Sequence, residues 1–403
     1  MLSADVAVVG GGPAGTAAAI TIARAGCDVV LVDKARFPRD KCCGDGLTAG
    51  ALRLLESLGF DPGAVDSWQP VDDVVVRSPS GHEVVFPLPR SQGLFAAVAR
   101  RVDLDSAMID LARGAGVKVL DGHACTNATS LPDRVVLHVD GIGPVQSRYA
   151  IGADGMWSPL RKALGAATPG YLGEWHAFRQ YFMDVGPAAA RDLFVWFEPD
   201  LLPGYAWSFP LPDGRANVGF GIQRGGKVAR VQDMKAIWPE LLARPHIREV
   251  LGSRAAPESA HKAWPIPARV DSVALTEGRT LFVGDAAAAT DPMTGEGIGQ
   301  ALLTGVLAAQ AIEHAGAHDD QTARATYEAA VAHHLGVDHR MSMVLIHALR
   351  HRKGARAAVR LAGLSDWTRR SFARWLFEDY PRGVILTPSR WHHGMFTGAG
   401  AFR

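Results

Sequence analysis

Val6-Ala7-Val8-Val9-Gly10-Gly11-Gly12-Pro13-Ala14-Gly15 is an apolar run that ends on three glycines and opens into the alanine-rich stretch Ala14 to Ala25. The first part reads as a strand and the second as a helix. A further apolar run, Val29 to Val32, ends on Asp33. Together they make the βαβ unit that cradles a dinucleotide. Gly10, Gly12 and Gly15 let backbone approach a pyrophosphate, the helix opening at Pro13 and Ala14 turns its positive end to that charge, and Asp33 is placed for the ribose hydroxyls. Lys34 follows at the same strand end. One glycine fingerprint alone suits many α/β proteins. Here Gly152-Ala153-Asp154-Gly155 follows, and then Gly284-Asp285-Ala286, running on through Pro292, Gly295 and Gly297 to Ile298. That succession is what an FAD-dependent oxidoreductase requires, and FAD is the expected cofactor.

With 403 residues, 48% of them hydrophobic, the chain can build two or three lobes around sizeable cores. Forty-two basic against forty-one acidic side chains leave a net charge of +1, so no global field attracts nucleic acid and no such partner is expected. The uncharged stretch Val6 to Ala23 follows Asp5, has no basic leader and is broken by four glycines and a proline, which makes it the dinucleotide turn and helix rather than a membrane segment. Cys27, Cys42, Cys43 and Cys125 show no disulfide framework and no C-x-x-C spacing, as expected in a reducing cytoplasm. The sequon Asn127-Ala128-Thr129 is idle in that setting. His333-His334 and His392-His393 lack a third ligand at helical spacing, so no metal is expected.

The fold class expected is α/β: a Rossmann-type FAD-binding domain, an antiparallel-sheet substrate domain and a helical C-terminal region. The hairpin Val74 to Val76 and Val84 to Phe86, joined by Ser78-Pro79-Ser80-Gly81, leaves the FAD domain. Helical spacing from Arg101 to Gly116 and the strand Val117 to Leu120 return to it, and a short strand from Tyr149 delivers the Asp154 turn. Residues 166–274 change to aromatics, prolines and short alternating runs, read as a mostly antiparallel sheet. Leu281-Phe282-Val283 comes back to the FAD sheet. The expected division is residues 1–70, 93–165 and 275–315 for FAD, 71–92 and 166–274 for substrate, and 316–403 for the C-terminal helices.

Across nearly its whole length the sequence resembles the geranylgeranyl reductase family of FAD proteins, in the larger group that holds aromatic hydroxylases and flavin-dependent halogenases. The features shared with the group are Gly10 to Gly15, Arg101-x-x-Leu104-Asp105, Asp154-Gly155 with Ser158 and Arg161, and Gly284-Asp285 through Gly297. More specific is Phe37-Pro38-Arg39-Asp40-Lys41-Cys42-Cys43-Gly44-Asp45-Gly46-Leu47-Thr48. It is similar to a P-x-x-K-x-C-G-D-G-L-T segment of bacterial members, menaquinone reductases among them. Tyr205-Ala206-Trp207-Ser208-Phe209-Pro210, with Asn217-Val218-Gly219 behind it, resembles the Y-x-W-x-F-P signature of prenyl reductases, whose aromatics line the substrate cavity. Cys42 is an extra thiol beside the family position Cys43.

The resemblance implies that Asp285 binds the ribityl chain and that Gly295 to Gly299 bring backbone N–H groups and a helix N-terminus to the flavin's pyrimidine edge. It further implies that Cys43 and Gly44 sit near the flavin ring. Tyr205 and Trp207 alternate on a strand and so share a face, either as a wall for a long apolar substrate or as sheet core. Cys43 either helps to position or protonate an alkene or is an inert buried thiol. Between positions 340 and 374 nine basic side chains face Asp366 alone, with Trp367, Phe372, Trp375 and Phe377 interleaved or following. Such helices lie on an anionic membrane surface, or else form a solvated basic face whose aromatics pack on the FAD lobe. The location expected is accordingly cytoplasmic, extending to the inner membrane face.

The leading function is reduction of carbon–carbon double bonds in an isoprenoid chain, with a lipid-like substrate as partner. A single dinucleotide fingerprint leaves no dedicated nicotinamide domain, so NAD(P)H is expected as a transient reductant. The alternative is a flavin monooxygenase acting on a specialised metabolite. Halogenation is disfavoured, since no lysine lies between Lys41 and Lys118 and Tyr205 and Phe209 depart from the halogenase W-x-W-x-I pattern.

Overall fold

The computed structural model describes residues 2–226, 229–316, 319–391, 393 and 395–403; His392 lies outside them. Leu2–Val9 runs through the middle of a mixed sheet, and its residues Val6 to Val9 are all buried, as befits a strand covered on both faces. Gly143–Gly152 lies on one side of it and Val29–Asp33 on the other, with Thr280–Phe282 and Lys118–Asp121 beyond, all parallel. The strands therefore end together at Val9, Asp33, Gly152 and Phe282, the edge where open α/β sheets hold ligands.

The strand predicted to begin at Tyr149 begins at Gly143. Val145, Ser147 and Tyr149 point inward while Gln146 and Arg148 do not, so its first half alternates and pairs antiparallel with Val135–Val139. Pro13–Arg24 and Ile298–Ala315 cross at close range. A Cβ on Gly305 would stand 2.2 Å from the Ala14 carbonyl oxygen, so only glycine permits this crossing.

The second sheet is antiparallel over Trp175–Met183, Arg215–Gln223, Tyr205–Leu211 and Leu193–Trp196. The hairpin Asp73–Arg77 and Glu83–Pro87 joins it by pairing parallel to Leu193–Trp196. Two helices not predicted in this stretch, Met234–Leu242 and Pro245–Leu251, close one face over Phe178, Trp196 and Phe220. Pro239 inside the first of them hides its helical pattern. Tyr205, Trp207 and Phe209 occupy the other face and line the cavity toward the FAD lobe.

The C-terminal helices include Val337–Leu349, Arg352–Ala362 and Asp366–Leu376. Of the two readings of this region, packing of its aromatics on the FAD lobe is not what Phe372 and Phe377 do: Phe372 meets Phe86 of the substrate hairpin with ring centroids 4.7 Å apart, and Phe377 and Val359 join Val74, Val76 and Val84 in one core. The hairpin exposes an apolar face of its own, and these helices cover it. No helix among the described residues is long and apolar enough to cross a membrane.

Candidate active site

A cavity of about 1410 Å³ runs between the lobes from the glycine loop to the C-terminal helices. Single-ligand pockets hold about 300–1,000 Å³, so there is room for a cofactor and a substrate together.

At one end the loop Gly10 to Gly15 has no space for side chains at its turning points. A Cβ on Gly10 would lie 2.2 Å from the Ala153 carbonyl oxygen, and one on Gly15 1.8 Å from that of Gly10. Asp33 accepts hydrogen bonds from the backbone N–H of Gly11 at 2.6 Å and of Ala35 at 2.8 Å, so its carboxylate braces this loop at the place a ribose would meet it. Lys34 beside it is exposed on the cavity edge. Gly12 caps the helix Pro13–Arg24, and beyond it stand the guanidinium groups of Arg101 and Arg39, each 3.7 Å from where a Cβ would be. Arg101 grips Asp105 with two hydrogen bonds of 2.7 and 2.8 Å, and Arg39 adds a third of 2.8 Å. Two cations share one carboxylate in front of a helix N-terminus, which leaves positive charge for a diphosphate. These residues fit FAD. Arg39 was quoted in the sequence segment, but its place beside Arg101 arises only when the loop after Val29–Asp33 and the helix Arg101–Gly114 are brought together.

Asp154 lines the cavity, but its carboxylate accepts from the Ser158 hydroxyl at 2.6 Å and the Leu160 N–H at 2.8 Å, which fixes the turn rather than leaving the group free. Asp285 faces Lys41 at 3.4 Å, and the Lys41 ammonium lies 4.4 Å over the Trp264 ring, so Lys41 ties the substrate lobe to the FAD lobe. After Pro292 the loop turns on Gly295, with φ +71°. Gly297 has φ −129° and caps Ile298–Ala315, and a Cβ on it would meet the Thr290 hydroxyl at 3.3 Å.

Beneath this loop sits a buried ionic network absent from the sequence reading. Asp291 accepts from the Thr294 N–H at 2.8 Å, the Ser342 hydroxyl at 2.6 Å and Arg382 at 3.2 Å. Arg382 also donates to Glu378 at 3.1 Å, Gln300 donates to Glu378 at 2.9 Å, and Glu296 accepts the Gly299 N–H at 2.6 Å. Burial pushes Glu296 and Glu378 well above the usual carboxylate range; the Glu378 charge adds to the effect on Glu296, and Arg382 pulls back on both. Despite burial, Arg382 and its hydrogen-bonding neighbours hold Asp291 below its ordinary value. Glu378 and Arg382 lie some 80 residues beyond the loop in sequence, and no local motif marks them.

In the middle of the cavity Cys42, Cys43, Gly44 and Asp45 face the aromatic wall. Phe209 stands 3.4 Å from a Cβ placed on Gly44. The two thiols diverge. Cys43 packs on the core of the FAD lobe, and burial raises its pKa while neighbouring Arg101 opposes the rise. Cys42 is pushed up to about 12 by burial, with Arg179 opposing. Asp45 is wholly buried and raised by burial to about 6, against hydrogen bonds from Tyr181 at 2.6 Å and Asn217 at 2.8 Å. Arg179 is 1% exposed, donates to Asp40 at 2.7 Å and lies 4.1 Å over the Tyr181 ring. The Tyr205 hydroxyl donates to the Thr294 carbonyl, tying the wall to the loop after Pro292. The Trp207 indole N–H donates to Asn217 at 3.2 Å. With both polar ends satisfied, the ring faces are left as apolar surface. Among the described residues no three His, Cys, Asp or Glu side chains converge as metal ligands.

Comparison with known proteins agrees with this geometry. Residues 3–329 match the FAD binding domain family. The chain is 35% identical over 346 residues to a menaquinone reductase of Mycolicibacterium smegmatis, spanning 79% of each protein. It is 32% identical over 330 residues to digeranylgeranylglycerophospholipid reductase 2 of Methanopyrus kandleri, again 79% of each. A solved geranylgeranyl bacteriochlorophyll reductase-like protein of Thermoplasma acidophilum shares the fold, with a TM-score of 0.79 at 21% identity over 96% of this chain and 98% of that one. A dinucleotide cradle, a long apolar cavity and identity to these reductases over most of its length converge on one assignment: the chain belongs to the FAD binding domain family, on its geranylgeranyl reductase branch, and is an FAD-dependent oxidoreductase.

Proposed function

We propose that the protein saturates carbon–carbon double bonds in the isoprenoid chain of a prenyl quinone or prenyl lipid, with NAD(P)H as transient reductant. The observation that carries this reading is the continuity of the cavity from the Tyr205, Trp207 and Phe209 rings to Val359, Phe372 and Leu376. A long apolar chain matches such a lining along its length. The relatives named for a menaquinone and for a digeranylgeranyl lipid support the same substrate class.

FAD, when bound, supplies hydride. An isolated alkene has no carbonyl to take up electrons, so it also needs a proton. Burial keeps the thiol of Cys43, a residue that lines the cavity, protonated at neutral pH, so it can hold a proton for the alkene. Tyr205 and Trp207 keep the chain straight and exclude water around it. Arg101, Arg39 and the helix end after Gly12 hold the diphosphate, and Asp33 steadies the loop that carries it. Asp285 and the Gly295 to Gly299 loop hold the ribityl and pyrimidine parts.

The test is chemically reduced holoenzyme mixed anaerobically with a prenyl lipid and with its fully saturated counterpart. The flavin should reoxidise with the first and stay reduced with the second. Equal behaviour with both would remove the alkene as the electron acceptor.

A further inference from the structure

The rim of the cavity lies on the helix Arg352–Ala362. Ala355, Val359 and Ala362 point inward, while Ala358 and Leu361 are exposed and also line the cavity, which puts them at its mouth. Immediately after them the chain exposes Leu364 and Trp367, each at 71%, next to Leu361 at 62%. Three large apolar side chains this exposed within seven residues are a local concentration, where surface hydrophobics are ordinarily scattered singly. Arg352, Arg356 and Arg360 recur every four residues and so form a stripe along another side of the same helix. Among the described residues Lys353, Arg356, Arg360 and Arg370 have no acidic partner within 4.0 Å, and Asp366 is taken by Arg369.

We propose that this face docks on an anionic lipid bilayer, with Leu361, Leu364 and Trp367 entering the headgroup boundary, the arginine stripe facing lipid phosphates, and the cavity mouth opening onto the acyl region. The charge pattern selects this occupant. A second copy of the chain in a two-fold arrangement would set Lys353, Arg356 and Arg360, which lack acidic partners among the described residues, against their own counterparts. A nucleic acid would use the basic residues but leave the leucines and the tryptophan in water. A bilayer matches both halves, since basic residues flanking an apolar face are what holds a helix in the plane of an anionic surface. The purpose of the docking rests on the isoprenoid-lipid reading above, because a mouth at the bilayer lets a substrate that stays in the membrane enter without crossing water. Binding itself is measured without turnover, so the two proposals fail separately.

The experiment is flotation of the FAD-loaded protein with vesicles of phosphatidylcholine alone and of phosphatidylcholine mixed with phosphatidylglycerol. The protein should float with the mixed vesicles, less so as salt rises, and not with phosphatidylcholine alone. Leu364→Ser with Trp367→Ser should lower vesicle affinity at least about tenfold while FAD content and turnover of a detergent-dispersed prenyl substrate stay unchanged. Replacing Lys353, Arg356 and Arg360 by Gln, which keeps the helix and its apolar face, should lower affinity for mixed vesicles to a similar degree and abolish its salt dependence. Absence from both kinds of vesicle would overturn the proposal. So would unchanged binding in both variants, or concentration-dependent dimerisation lost on the serine substitutions.

Discussion

Trp207 packs over Gly219 of the neighbouring strand, where a Cβ would come within 2.4 Å of the indole, and this pairing sets the depth of the ring in the wall. Since its N–H is already satisfied by Asn217, what it offers a substrate is contact area. Trp207→Ala should raise KM for prenyl substrates about tenfold, or change which double bond reacts, with FAD content unaltered; lost flavin with an unchanged KM would place the ring in the cofactor site instead. Asp33 acts by a different route. Its hydrogen bonds brace Gly11 and Ala35, so Asp33→Ala leaves a loop N–H without its acceptor and should weaken FAD binding by about tenfold or more, read by titration of apoprotein. The thiols separate by direction. Cys43→Ser should slow alkene reduction more than Cys42→Ser, because Cys43 faces Arg101 and the FAD lobe while Cys42 faces Arg179; equal, wild-type rates in both variants would make the pair structural.

At the scale of elements, the motifs that were readable in advance are those whose meaning is local. A glycine turn between a strand and a helix carries its own geometry, and so Gly10 to Gly15, the Asp154 turn and the alternation of Tyr205 with Trp207 could be placed before any fold was known. The loop after Pro292 was legible as a loop, but not in detail, since glycine spacing does not say that Gly295 turns with positive φ while Gly297 does not. What supports that loop was not legible, because Glu378 and Arg382 reach it from a distant part of the chain and touch it only through the fold. The two helices in the substrate lobe were hidden for a local reason, the proline Pro239 inside the first of them. The buried acids carry a pH dependence whose sign is fixed. In the unfolded chain Glu296 and Glu378 titrate in the ordinary carboxylate range, and in the folded chain burial, with the charge of Asp291 near both and of Asp338 near Glu378, makes them hold their protons to higher pH against the pull of Arg382. The folded state therefore binds more protons through the interval, and the stability that the protonated pair contributes, complete below the ordinary range, is lost as pH rises to neutrality and beyond. Holoenzyme Tm should fall between about pH 5 and about pH 8 by more in the wild type than in Glu378→Gln or Glu296→Gln. Parallel curves for all three proteins would show that the carboxyls titrate normally.

Across the whole molecule, one cavity links three regions that the sequence presents as separate: the dinucleotide cradle, the aromatic face of the second sheet, and the C-terminal helices. The first two were expected to meet. The third closes the substrate sheet because the hairpin Asp73–Arg77 and Glu83–Pro87 needs a cover for its apolar face, a consequence of sheet order that no motif encodes. The resulting chamber suits a chain-like substrate, and its chemistry separates two reaction classes by product mass. Reduced holoenzyme should be mixed with a polyunsaturated prenyl lipid under strict exclusion of oxygen, and the product of a single turnover weighed. Reduction predicts a product two mass units heavier, formed without oxygen and carrying one double bond fewer. A product sixteen units heavier that forms only when air is admitted would contradict the account and make the protein a monooxygenase.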